Sequence, residues 1–187
     1  MRDSMQRGLF ERTLVIQGKH AKIHKELLNT GLFSNNHEIA EFAMMIGILY
    51  EKTEKKDLEG DLEYKIQKET MRDSGETIIG LYRFCMILHD KFIPQEARLE
   101  RAFNYDDKGE EALQYEEILE SYMRGGYMIL DEKILQAGPH SRSRMTDLDF
   151  IQNEYDLLNE IDEKVAARLA SEKNNKPLSS SEIISFA

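Results

Sequence analysis

Tryptophan is absent from this chain of 187 residues, proline occurs three times and cysteine once. A lone thiol, Cys85, rules out an intrachain disulfide and any zinc site built from several thiolates. It sits within the apolar pattern running from Ile78 to Leu88, where only His89 could activate it, and it is expected to be core. No apolar run is longer than Phe42 to Tyr50, whereas a helix that crosses a bilayer needs about 20 such residues. The opening residues, Met-Arg-Asp-Ser-Met-Gln-Arg-Gly, carry no apolar stretch of the secretory-signal kind. A cytoplasmic protein with no membrane partner is therefore expected. Phosphate-cradling glycine loops, dinucleotide fingerprints and nucleophile elbows are missing too, so neither a catalytic role nor a cofactor is expected.

Positive charge is also scarce. Lys and Arg number 25 against 35 Asp and Glu, for a net charge of -10, and an acidic surface repels a phosphate backbone. The deficit is uneven: residues 1–33, with Arg2, Arg7, Arg12, Lys19, Lys22 and Lys25, are at +3, and the remainder is at -13. Only the N-terminal segment suits an anion, and the acidic remainder suits solvent or a basic partner protein.

What is present is helical periodicity, and the expected fold class is all-α: a compact multi-helix domain with one short N-terminal strand and a long acidic C-terminal helix. The strand is Thr13-Leu-Val-Ile-Gln17, β-branched and closed by Gly18. A helix follows from Lys19 to Leu28, ended by Asn29-Thr30-Gly31 with the glycine suited to a left-handed cap. Asn35 with Glu38 forms a capping-box start for a second helix bearing Ile39, Phe42, Ala43, Ile46 and Tyr50. The charged segment from Lys52 to Lys68 reads as a surface connection holding at most a short helix. A helix from Glu76 to Lys91, apolar nearly all round, is the expected centre of the fold. Pro94 opens a short helix ending near Phe103, and Asp107 with Glu110 starts the next.

In that next helix, Gly125-Gly126 implies a break, a kink or a close backbone approach, because glycine costs about 1 kcal/mol relative to alanine inside a helix. Residues 137–145 read as a loop. Thr146 with Asp149 caps a long helix to about Lys173, striped by Ile151, Tyr155, Leu158, Ile161 or Asp162, Val165 and Leu169. The expected division is a helical domain over 1–145, then this acidic helix and a mobile tail over 146–187, with Ile183, Ile184 and Phe186 as a docking end.

Among polar constellations, His20 and His24 lie four apart on one helix face, the spacing of a metal-binding pair. They lack the glutamate of helical zinc peptidases and are surrounded by Lys19, Lys22 and Lys25, so a solvated basic face is expected instead. The acids Asp106, Asp107, Glu110 and Glu111 coincide with a helix start, where the macrodipole alone favours them.

The order strand, helix, Gly31-Leu-Phe-Ser34, helix resembles the ribbon-helix-helix pattern of dimeric DNA-binding proteins. That resemblance implies strands from two subunits pairing in a major groove, with Arg12, Thr13 and Gln17 near the bases and Lys19, Lys22 and Lys25 nearby. It also implies a phosphate held by amides at Ser34 and Asn35. Val15 in the base-reading face and the displacement of the lysines onto the helix depart from the pattern, and the unit also reads simply as the start of a helical core.

A narrower likeness runs through Gly31-Leu-Phe33, Ile46-Gly-Ile48, the Ile78 to Leu88 helix and Glu120-Ser-Tyr-Met-Arg-Gly-Gly126. Over roughly residues 12–136 this layout is similar to accessory proteins encoded with bacterial DNA phosphorothioation (Dnd) defence systems, with a Glu-x-Tyr-x-x-Gly-Gly signature. The helix after residue 146 lies outside it. The likeness implies a non-catalytic accessory subunit of an anti-phage or DNA-modification system. The strand and the 146–173 stripe, apart from any likeness, make the domain a candidate for self-association through either or both. Its partners would be other subunits of that complex, met at Tyr122, Arg124, Gly125 and Gly126, and DNA is a second candidate partner through residues 12–35. Two other classes stay open: a ribbon-helix-helix transcription regulator, and an enzyme gathering His89 or His37 with carboxylates.

Overall fold

The computed structural model describes residues 12–73, 75–89, 93–103, 110–137 and 145–174. The chain begins with β1 (Leu14–Gln17), α1 (Gly18–Asn29) and α2 (Asn36–Leu49), continues through β2 (Glu63–Ile66), α3 (Lys68–Asp73), α4 (Gly75–Leu88) and α5 (Gln95–Phe103), and ends with α6 (Glu110–Leu130) and α7 (Asp147–Asn174). One π-helical turn, Asp131–Leu135, extends α6. The all-α class holds, with one addition. The supposed surface connection contains β2, which pairs antiparallel with β1 in the register Leu14 to Ile66 and Ile16 to Tyr64. Leu14, Ile16 and Ile66 point into the core, and Val15, Lys65 and Glu63 point out. The two-stranded ribbon expected between subunits is thus made within one chain.

Local chemistry accounts for the helix ends. The Asn35 side chain accepts from the Glu38 amide at 3.1 Å, and a Glu38 carboxylate oxygen accepts from the Ser34 amide at 2.8 Å, a reciprocal capping box. Gly31 holds φ at +74° after α1, the left-handed position that ends a helix without Cβ strain. Thr146 and Asp149 cap α7 in the same reciprocal way, through Thr146 N to Asp149 Oδ2 at 2.6 Å. Asp107, residues 138–144 and the stretch after Asn174 lie outside the described residues.

The centre of the fold is the crossing of α2 and α6 rather than α4. Phe84 on α4 is 53% exposed, and Gly80 faces open space. Helix α6 runs unbroken through Gly125 and Gly126, so the glycines serve close approach and not a break. A Cβ on Gly47 would fall on the carbonyl oxygen of Tyr122, one on Gly126 on the carbonyl of Ala43, and one on Gly125 on the carbonyl of Lys52. Helices ordinarily pack about 8–10 Å apart because side chains separate them. Here the two backbones touch, and Ile39, Ala43, Ile46, Tyr122, Met123 and Tyr127 close around the contact.

The same chain therefore offers a paired test of glycine function. Gly126→Ala and Gly47→Ala must push the helices apart and are expected to lose about 3 kcal/mol of stability in urea unfolding, the upper range for overpacking. Gly80→Ala, in open space on α4, is expected to gain about 0.5–1 kcal/mol.

Candidate functional site

Glu116, Glu120 and Arg124 recur every four residues along α6 and so share one face. Arg12, two residues before β1, reaches that face with Nε 3.0 Å from Glu116 and Nη2 2.9 Å from Glu120. From the segment that follows α2, Lys56 meets Glu117 at 2.7 Å and Glu120 at 3.6 Å. Arg124 pairs with Glu117 and donates from Nε to the Glu54 carbonyl at 2.9 Å. Three cations thus meet three carboxylates, of which the side chains of Glu116 and Glu120 are only 4% and 6% exposed. Burial pushes the Glu120 carboxyl up, against the pull of Arg12, Lys56 and Arg124. Burial also opposes ionisation of Glu117, but its hydrogen bonds and proximity to Lys56 and Arg124 hold it below the usual carboxylate range.

A cavity of 310 Å³ adjoins this network beneath the ribbon and is lined by Arg12, Gln17, His20, Asp57, Glu120 and Arg124 among others. His20 is 1% exposed, and its Nε2 has no hydrogen-bond partner among the described residues. Burial, with Lys19 and Arg124 nearby, pushes this imidazole down to about 4, so it is neutral near pH 7. His24 is equally buried, with Nδ1 2.8 Å from the Tyr127 hydroxyl and Nε2 2.9 Å from the Asn36 side-chain oxygen. Burial lowers it as well. The two histidines therefore form the inner face of α1 and not a solvated basic face, while Lys22 and Lys25 are exposed. No cluster of three or more metal-ligating side chains occurs among the described residues.

Most of the residues proposed to contact DNA are engaged within the fold. Arg12 is held as above, and Lys19 pairs through Nζ with Glu54 at 3.2 Å and through its amide with Asp57 at 2.7 Å. Thr13 donates to Gln67 at 3.4 Å and Gln17 to Glu63 at 3.5 Å. At Ser34 and Asn35 the start of α2 is capped by Glu38, its own internal anion. Tyr122, Arg124, Gly125 and Gly126, expected to meet a partner, are all buried, and the backbone the glycines admit belongs to α2 and to Lys52 of the same chain. Signal for this inward role was present in Gly47, whose position on α2 is the complement of Gly126.

His89 lies 3.2 Å from the Tyr122 hydroxyl and shares an open cavity with Glu54, Glu117 and Ser121. The two carboxylates are lowered despite the opposing effect of burial, because Lys19 holds Glu54 and Lys56 with Arg124 holds Glu117. The Ser121 hydroxyl donates back to the Ile118 carbonyl at 2.7 Å. Paired, ionised acids and a backbone-bonded hydroxyl are the reverse of an activated nucleophile and its base.

One helix, α7, leaves a row of large apolar side chains uncovered. Asn153, Leu157 and Ile161 face the domain, and the Asn153 amide donates to the Ile134 and Ala137 carbonyls at 2.9 and 3.1 Å. Both carbonyls lie at the end of the helical run, Ile134 in its π-turn and Ala137 just after it, where carbonyls lack intrahelical donors. On another face Leu148, Ile151, Tyr155, Leu158 and Val165 are between 37% and 74% exposed. No protein-family model, curated protein or solved structure matches the chain.

The buried histidines generate a pH prediction. Their folded-state values lie below the unfolded value of 6.5, so the unfolded chain binds more protons and stability falls as pH drops below 6.5. Glu120, raised by burial, acts in the opposite sense at the lower end of this range. Between pH 6.5 and about 5, above the range of the lowered carboxylates, His20 alone is expected to contribute an average loss of about 1 kcal/mol per pH unit. Urea unfolding across that window checks this, and His20→Gln is expected to flatten the slope.

Proposed function

We propose that the protein is a non-catalytic accessory subunit of a bacterial anti-phage or DNA-modification system, and that it acts by binding partner proteins. The observation that carries the binding role is the exposed stripe of α7. Five large apolar side chains on one helix face are far more than scattered surface hydrophobes, and contiguous patches of this kind mark interaction surfaces. The assignment to a defence or modification system rests on the likeness of residues 12–136 to the Dnd accessory proteins. The engagement of Arg12, Lys19, Glu54, Glu117 and Ser121 within the fold supports a role without chemistry of its own.

DNA is a second reading, favoured by the exposed Lys22 and Lys25 on α1. Against it stand the net charge of -10 and the outward face of the ribbon, where Lys65 is paired with Glu63 at 2.6 Å.

Co-expression with the proteins of neighbouring genes, followed by measurement of the mass of the purified complex, tests the reading. A stoichiometric complex is expected with the natural chain. Tyr155→Ala is expected to weaken it by about tenfold or more, as truncation of an aromatic anchor does. An assembly indifferent to Tyr155→Ala would move the interface elsewhere, and the absence of any complex would refute the role.

A further inference from the structure

The positions Leu148, Ile151, Tyr155, Leu158, Asp162 and Val165 follow one another by steps of three and four, the seam of a coiled coil. The described stretch of that seam is roughly 26 Å long. It is apolar except at Asp162, an exposed carboxylate inside the seam itself. Between residues 147 and 167 the helix carries seven acids and one lysine. That lysine, Lys164, is turned to the domain, 4.4 Å from the Tyr50 ring centroid and 3.9 Å from Glu160. Glu160 is likewise turned inward, 2.9 Å from Lys133. The flanks of the seam are thus net negative, with Lys164 drawn toward Tyr50 and Glu160 and Arg168 the next cation in the sequence. At its far end Val165 also lines a groove of 510 Å³ with Ile48, Leu81, Phe84 and Ile161, walled almost wholly by apolar side chains.

We propose that this seam receives a basic amphipathic helix of a partner protein, with a Lys or Arg facing Asp162 and a bulky apolar side chain seated in the groove beside Val165. The inference rests on the protein-binding reading above and specifies the partner's chemistry. Charge decides between occupants. A second copy of the chain would set acidic flanks against acidic flanks. It would also bury Asp162 against another Asp162 in a parallel pair, or against an apolar seam residue in an antiparallel one, and a buried carboxylate without a partner is strongly destabilising. A basic helix removes both penalties, and its cation at the seam fixes the register.

The probe is a synthetic helical peptide with Leu and Ile at its seam positions and Lys and Arg on both flanks, compared with the same peptide carrying Glu on the flanks. Both are titrated into the full chain at low and high salt, with sedimentation of the chain alone at matched concentrations. The basic peptide is expected to bind, to weaken at least about tenfold at high salt, and to lose about tenfold against Asp162→Asn. Binding should vanish against a Leu148→Ser, Tyr155→Ser, Leu158→Ser variant whose circular dichroism is unchanged. Preference for the acidic peptide, or a dimer of the chain abolished by the triple variant, would overturn the basic-partner inference and leave the protein-binding reading standing. If neither peptide nor a second copy engages the seam, and co-expressed neighbours ignore the triple variant, both fall.

Discussion

Backbone contact between α2 and α6 is the constraint on which the rest of the structure depends. Gly47 and Gly126 face one another's helices at positions where any Cβ would strike a carbonyl, and Gly125 admits the carbonyl of Lys52 on the adjoining side. With the helices in contact, the segment after α2 lies along α6, where the Glu54 amide donates to the Ser121 carbonyl at 3.0 Å. That places Lys56 and the Glu54 carbonyl beside Glu117, Glu120 and Arg124. The same approach brings Tyr127 against α1, where its hydroxyl completes the hydrogen bonding of the buried His24. A separation of one methyl group would loosen the core and the charged network together.

The network explains why an apparently functional set of residues serves the fold. Glu116 and Glu120 are almost fully buried carboxylates, and removing a single partner from a buried ion pair costs about 3–5 kcal/mol. Arg12 and Lys56 come from two separate stretches of chain to meet Arg124 and the carboxylates of α6, so the network joins the ribbon, the segment after α2 and the central helix. Cations committed in this way are poorly placed to hold a phosphate backbone. Half of the net charge of -10 lies instead on α7, which carries eight acids against three bases around an apolar seam that the domain does not cover.

Much of the fold was legible because its signals are local. Asn35 with Glu38 and Thr146 with Asp149 marked helix starts that the structure places within a residue, and Pro94 and Gly31 marked a start and a stop. The alternation of Leu14 and Ile16 inward with Val15 outward also held. The strand β2 was hidden by charge: Leu62, Tyr64 and Ile66 alternate with polar residues, but in so highly charged a segment, five acids and five lysines from Lys52 to Lys68, that period of two was outweighed by composition. Burial of His20 and His24 could not be read from neighbouring lysines, because on α1 Lys22 and Lys25 are exposed while the histidines point inward. The doubled glycine permitted three readings, and only the position of Gly47 on another helix, far away in sequence, selects close approach. At Arg124 and Tyr122 the motif was visible, but its inward direction depends on tertiary contacts that spacing does not encode.

The proposed role is protein contact on α7, with Arg12 and Lys19 committed to the fold and the exposed Lys22 and Lys25 taking no part in holding DNA. Titration of fluorescent duplex DNA with the full chain at low salt, followed by anisotropy, tests it most directly. The account predicts no specific, salt-steep binding and no difference between the natural chain and a Lys22→Ala, Lys25→Ala variant. Tight binding that falls steeply with salt and disappears in that variant would contradict it, and would make α1 the working surface of the molecule.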